Sequence, residues 1–254
     1  MEAKLQLDGT LSEAYVLLAD IKFVVDWDWK GAEEEFIHAI ELNPSSATAR
    51  QYYALFLSAM ERHEEAIDEM NRALELDPLS MSINQNLGAI FRFASRYDES
   101  IRQLMLTTEL DPNFSWTFWS LGEVYLLKSM FEEAVSAFKT ALKLSGNGMT
   151  IIESSLARAY ASWGKTGEAR RILENLIRQS KEKYVSPFRI AVIFASLGER
   201  EDAFSWLEKA FEERSNNLVY LKVDPALDNL RSDPRFEEFL SRLNWKAAAK
   251  HPGA

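Results

Sequence analysis

Three phrases decide the fold: Ala39-Ile40-Glu41-Leu42-Asn43-Pro44, Ala73-Leu74-Glu75-Leu76-Asp77-Pro78 and Thr108-Glu109-Leu110-Asp111-Pro112. Their prolines stand at 44, 78 and 112, each 34 residues after the one before. A fixed period of this length signals a supersecondary unit that stacks on copies of itself. Extended along the chain, the period gives six units at 12–46, 47–80, 81–114, 115–149, 150–183 and 184–217, and the first and fourth need one extra residue.

Each unit reads as two antiparallel helices, A and B. Helices that cross closely need small side chains at the contact. The eighth position of each unit holds Ala19, Ala54, Gly88, Gly122, Ala157 and Ala191. The start of helix B holds Ala32, Ala66, Ser100, Ala134, Ala169 and Ala203, and seven residues later come Ala39, Ala73, Thr107, Ala141, Leu176 and Ala210. Only Leu176 breaks the small-residue rule. Phe36, Met70, Leu104, Phe138, Leu173 and Leu207 share one helix B position and fill the space between. Polar breaks such as Gly164-Lys165-Thr166-Gly167 and Gly198-Glu199-Arg200-Glu201 separate A from B. The break Asp26-Trp27-Asp28-Trp29-Lys30-Gly31 is expected to hold the first unit's extra residue.

On these recurrent positions, residues 12–217 resemble tetratricopeptide repeats. The resemblance implies an all-α fold: a right-handed α-α superhelix of six helix-turn-helix repeats with a C-terminal helical cap. It also implies an interaction scaffold that binds a protein or peptide partner in its concave groove.

The ends leave the period. Leu5-Gln6-Leu7-Asp8-Gly9-Thr10 looks like the end of a preceding helix B, so 1–11 is read as the remnant of an earlier repeat in a longer protein, or as a short N-terminal cap. Residues 218–245 are read as a capping element. In it Asp233 caps a helix with Pro234 at its first position, and Phe236, Phe239, Leu240 and Leu243 form one apolar face. Residues 246–254 are expected to be a disordered tail. Tyr184-Val185-Ser186-Pro187 through Asp233-Pro234-Arg235-Phe236 is similar to the C-terminal repeat region of bacterial multidomain signalling proteins, as are Asp26-Trp27-Asp28-Trp29 and Leu79-Ser80. Those proteins carry a winged-helix regulator, a nucleotide cyclase or a Ser/Thr kinase upstream. This chain would then be the regulatory or structural arm of such a parent, its groove filled by the parent's own chain.

Composition narrows function. A net charge of −10 over 254 residues repels phosphate backbones, so no nucleic-acid partner is expected. With no cysteine there is no disulfide, thiol nucleophile or Cys-based zinc site. No apolar run approaches a membrane span, and the first residues lack a signal peptide's pattern. No membrane insertion is therefore expected, and a cytoplasmic location, or a periplasmic one if the chain was cut from a membrane-anchored parent. The three histidines, His38, His63 and His251, are dispersed, so no metal site is expected. Glu33-Glu34-Glu35, Glu64-Glu65 and Glu132-Glu133 are read as solvated complements to helix B dipoles. Gly164-Lys165-Thr166 lacks the earlier glycine of a phosphate loop, since Ala159 stands there, and reads as a repeat turn. No catalysis and no cofactor are expected.

The resemblance implies that the second, fifth, ninth and twelfth positions of each helix A face the groove. Its informative stretch is Gln51 and Gln85, which can bond a peptide backbone, then Trp116 and Trp119, then Arg92 and Arg158, which can bind a carboxylate, with Glu123 among them. They point to an extended segment with apolar and acidic residues. The tryptophans have a second reading, packing between A helices. The first A helix lacks a preceding neighbour if the chain was cut, and so offers a surface for self-association.

Overall fold

The computed structural model describes residues 2–146 and 148–245, with side chains from residue 10 onward. The expected tail at 246–254 lies outside the described residues. Among them every regular element is helical. The α-helices are α1 (Glu2–Ile21), α2 (Trp29–Leu42), α3 (Ala47–Ala59), α4 (His63–Leu76), α5 (Met81–Phe93), α6 (Tyr97–Leu110) and α7 (Ser115–Leu127). They continue with α8 (Phe131–Leu144), α9 (Thr150–Ser162), α10 (Thr166–Gln179), α11 (Pro187–Ser196), α12 (Arg200–Glu212) and α13 (Pro234–Arg242). Helix α1 runs unbroken through Gly9, with no boundary between a remnant and the first helix A.

The A helices end alike, and this sets the period. The closing residue takes a left-handed backbone: Trp27 (φ 57°), Glu61 (63°), Ser95 (59°), Ser129 (58°), Gly164 (78°) and Gly198 (79°). The next amide then reaches back five residues, as from Arg62 to Leu57 O (3.0 Å), Met130 to Tyr125 O (2.9 Å) and Lys165 to Tyr160 O (2.8 Å). These bonds satisfy carbonyls that the helix end would orphan. The first turn differs. Lys22–Asp26 is a π-helix, and Asp28 N reaches back six residues to Lys22 O (2.9 Å), so the wider turn absorbs one residue.

Helix starts rest on local chemistry. Ser46 Oγ accepts from Ala49 N (3.1 Å) at α3 and Asp28 Oδ1 from Gly31 N (3.0 Å) at α2. Because Asp28 caps it, α2 begins at Trp29, and Glu33-Glu34-Glu35 lies beyond its first turn. That corrects the dipole reading of the run. Glu35 pairs with Lys22 (2.6 Å) and Glu33 with Arg62. Glu64-Glu65 and Glu132-Glu133 do occupy first turns.

The chain forms two compact units. Of the described residues, the first comprises those up to 96 together with 219–223 and 238–245. Its core holds Ala19, Ala32, Ala39, Ala54, Ala66 and Ala73 with no exposure, around Phe36, Phe56 and Met70. Phe36 touches Tyr53 and Phe56 at ring distances of 6.1 and 5.7 Å.

The second unit comprises 97–218 and 224–237. Val135, Phe138, Ala141, Ile152, Leu156 and Ala159 form one cluster between α8 and α9. Leu176, the exception to the small-residue rule, is fully buried. The cap segment 224–237 seats on the last repeat: Asn229 Nδ2 donates to Ala195 O (2.6 Å), and Arg235 grips Glu201 with two 2.9 Å bonds and lies 4.0 Å above the Phe204 ring. Asp233 accepts from Arg235 N (3.0 Å), and that guanidinium lowers its carboxyl pKa to about 2.

Candidate functional site

In the second unit the expected aromatic pair is present. Trp116 and Trp119, on successive turns of α7, meet edge to face at 5.6 Å, and both are half-buried. Trp119 Nε1 donates to Ser155 Oγ of α9 (2.9 Å), which fixes the ring plane. The Arg189 guanidinium of α11 lies 5.6 Å from the Trp119 centroid. Arg189 also lines a cavity of 210 Å³ with Thr150, Ile151, Tyr184, Ser186 and Asn216. Ser186 Oγ in that wall is buried with no hydrogen-bond partner among the described residues. Aromatic faces, a cation and an unsatisfied hydroxyl therefore adjoin one another.

Glu123 and Arg158 sit deeper. They form a 2.5 Å ion pair between α7 and α9, with side chains only 3% and 6% exposed. Pairing offsets the cost of burying either charge, so the Arg158 cation is matched inside the chain. The residues that sequence reasoning missed are Arg189, Tyr184 and Ser186. Arg189 stands one position past Phe188, which the family resemblance places on the groove as the fifth position of its helix A and which is in fact buried at 1% exposure.

The first unit's expected residues are used differently. Gln51 Nε2 donates to Ser82 Oγ (2.8 Å), an exposed bond between α3 and α5. Gln85 and Arg92 are buried. The Arg92 guanidinium lies 4.1 Å above the Phe93 ring. Phe93 also meets Tyr220, from the C-terminal part of the chain. Its ring stacks on Phe93 (5.3 Å, 2°) and meets the edge of Phe23 (6.4 Å, 86°). Burial pushes its phenol pKa up, the Asp20 charge adds to that, and Arg92 opposes it. Lys222 pairs with Glu61. Trp29 Nε1 donates to Leu243 O (2.7 Å, buried), and its ring meets Trp245 at 4.9 Å. Tyr220 thus lies against the groove-facing Phe23, while Leu243 and Trp245 lie against Trp29 at the start of α2.

Among the described residues no group of His, Asp or Glu could hold a metal ion, and no helix is long and apolar enough to cross a membrane. Lys165 sits in a helix turn with its Nζ 3.2 Å above the Trp163 ring, and Gly164 is the left-handed closing residue of α9.

Residues 28–81 and 117–147 match tetratricopeptide-repeat family models. No curated protein sequence matches the chain. Among solved structures it is similar to a thermophilic TPR protein of Thermus thermophilus (18% identity, 78% of this chain and 99% of that one, TM-score 0.61). PilW, a type IV pilus biogenesis factor, superposes with a TM-score of 0.59 (18% identity, 87% and 98% covered), and PilF of Pseudomonas aeruginosa with 0.56 (20%, 84% and 96%). At such identities the likeness is one of fold. Recurrent small residues at the helix crossings, identical left-handed closures of each helix A and the two matched stretches agree: the chain is a tetratricopeptide-repeat protein, of a fold that serves generally as a protein-interaction scaffold.

Proposed function

We propose that the chain binds a peptide segment of a partner protein on its second unit, at Trp116, Trp119 and Arg189. The observation that carries this reading is the half-buried tryptophan pair, held in a fixed orientation beside a guanidinium and a cavity with an unsatisfied hydroxyl. Rigid aromatic faces are the usual anchors of interfaces, and Arg189 selects for a carboxylate. The partner segment carries apolar and acidic residues. Selection from a displayed peptide library, followed by calorimetry on the full chain, tests this. Selected peptides should weaken by roughly tenfold or more with Trp119→Ala and with Arg189→Glu. Unchanged affinity in both variants refutes the assignment.

A second reading, a regulatory or structural arm whose groove is self-occupied, is favoured by Tyr220 and Trp245 lying on the first unit. Self-association through α1 has its own support, since Leu11, Leu17, Leu18 and Ile21 are all at least 40% exposed. Such a stripe is apolar surface awaiting cover. Light scattering at rising concentration tests it, and a constant monomer mass refutes it.

A further inference from the structure

We propose that the groove-facing side of the first unit is a recognition site for a short protein segment with an aromatic side chain and, two residues later, a lysine, and that Tyr220-Leu221-Lys222 of the same chain occupies it as an internal ligand. A partner segment of that chemistry binds by displacing it. This deepens the scaffold reading and rests on it.

The contacts of the internal segment are those of a docked ligand. Tyr220 is an aromatic anchor, inserted between Phe93 and Phe23 beside the opposite charges of Arg92 and Asp20. Lys222 is a rim contact: it pairs with Glu61, at the end of α3, and lies 5.7 Å from the Trp245 ring. The segment is a 3-10 turn ending at Tyr220 and then a tight turn, with Val219 and Leu221 fully buried beside the half-buried Tyr220 and Lys222. Its ion pair is partly solvated, with Lys222 28% and Glu61 47% exposed, and such pairs are weak. The anchor gives affinity and the lysine gives register and charge selectivity. A tethered ligand of this kind competes at an effective concentration on the order of millimolar. A free partner therefore gains access when it binds better or when the tether is pulled away.

The test uses the full-length chain and a fluorescent peptide of sequence 217–224, Asn-Leu-Val-Tyr-Leu-Lys-Val-Asp. In the Lys222→Glu chain, Glu61 repels the internal segment. That chain should bind the peptide at least roughly tenfold tighter than wild type. In the Glu61→Lys chain the preference should invert by a similar factor, towards the peptide with Glu in place of Lys. The double exchange, Glu61→Lys with Lys222→Glu, should restore the closed state and weak peptide binding, which separates displacement from simple unfolding. A peptide with Ala in place of Tyr should not bind any of these chains. Equal binding of the peptide by wild type and Lys222→Glu, or a preference that ignores the charge at position 61, overturns the proposal. These outcomes are independent of Trp119 and Arg189, so failure here is distinguishable from failure of the scaffold reading at the second unit.

Discussion

Gly122 is where the repeat's small-residue rule can be weighed in energy. It lies in α7 against Phe138 of α8, a ring with no exposure. A methyl group added at Gly122 would stand 2.6, 2.7 and 2.8 Å from three Phe138 ring atoms. Real Cβ contacts essentially never fall below 3.0 Å, so the ring or one helix must move. Phe138 is packed on every side, which makes movement expensive. Two effects oppose each other in Gly122→Ala. Alanine favours a helix interior over glycine by about 1 kcal/mol. Overpacking a filled core costs about 1–3 kcal/mol, and a clash this deep belongs at the upper end. The net expectation is a loss of about 1–2 kcal/mol, which for a chain of this size lowers the melting temperature by about 2–8 °C. Thermal and urea unfolding followed by circular dichroism measure it. Gly167→Ala is the control: in α10, nothing lies within 4 Å of the added methyl, and no loss is expected. If Gly122→Ala is as stable as the parent, Phe138 relaxes freely and this contact does not set the helix crossing.

Other perturbations separate backbone, hydrogen-bond and charge effects. Gly164→Ala adds a methyl into open space but at φ +78°, so its cost of about 1–2 kcal/mol is backbone strain alone, read from the urea midpoint. Trp29→Phe leaves the buried Leu243 carbonyl without its donor, a loss of about 1–3 kcal/mol, and hydrogen exchange should rise within 238–245. Burial lowers the pKa of His63 below its ordinary 6.5, with Glu61 and Glu64 opposing. The unfolded chain therefore takes up the proton first. The His63 contribution is constant above that ordinary pKa and falls as pH drops from it towards the folded value. His63→Gln should flatten that part of the pH–stability curve, and an unchanged curve refutes it.

The fold was legible because close crossings demand small residues at fixed intervals, and Ala19, Ala54, Ala157 and Ala191 stand there with no exposure. The extra residue of the first unit was legible too, since Asp26-Trp27-Asp28-Trp29 is one residue longer than its counterparts. What that residue becomes, a π-helix, depends on hydrogen bonds that periodicity does not encode. The site was legible in part. Glu123 and Arg158 occupy the same position in neighbouring units, 35 residues apart, so opposite charges there meet across adjacent A helices. The same lateral proximity joins Trp119 to Ser155 and Gln51 to Ser82. A reading that treats each inward residue as facing an empty groove misses those neighbours. Arg189 was hidden for a related reason: the last unit's nominal groove residues, such as Phe188 and Val192, are core.

The return of the C-terminal segment to the first unit was not legible at all, and it changes what stabilises the array. In a simple repeat array each unit feels only its neighbours, so removing the end weakens the end. Here Trp29 bonds a carbonyl 214 residues away, and Trp245 packs on its ring. No period links these residues; single complementary side chains specify the contact. Deleting the residues from 238 onward should therefore raise hydrogen exchange in α1 and α2 more than in α11 and α12. The last repeat would keep the Asn229 and Arg235 bonds of the retained cap. The first would lose an aromatic contact and leave the buried indole N–H of Trp29 without an acceptor, worth about 1–3 kcal/mol. If exchange rises only in α11 and α12, stability is purely nearest-neighbour, and the C-terminal residues rest on the first unit without holding it.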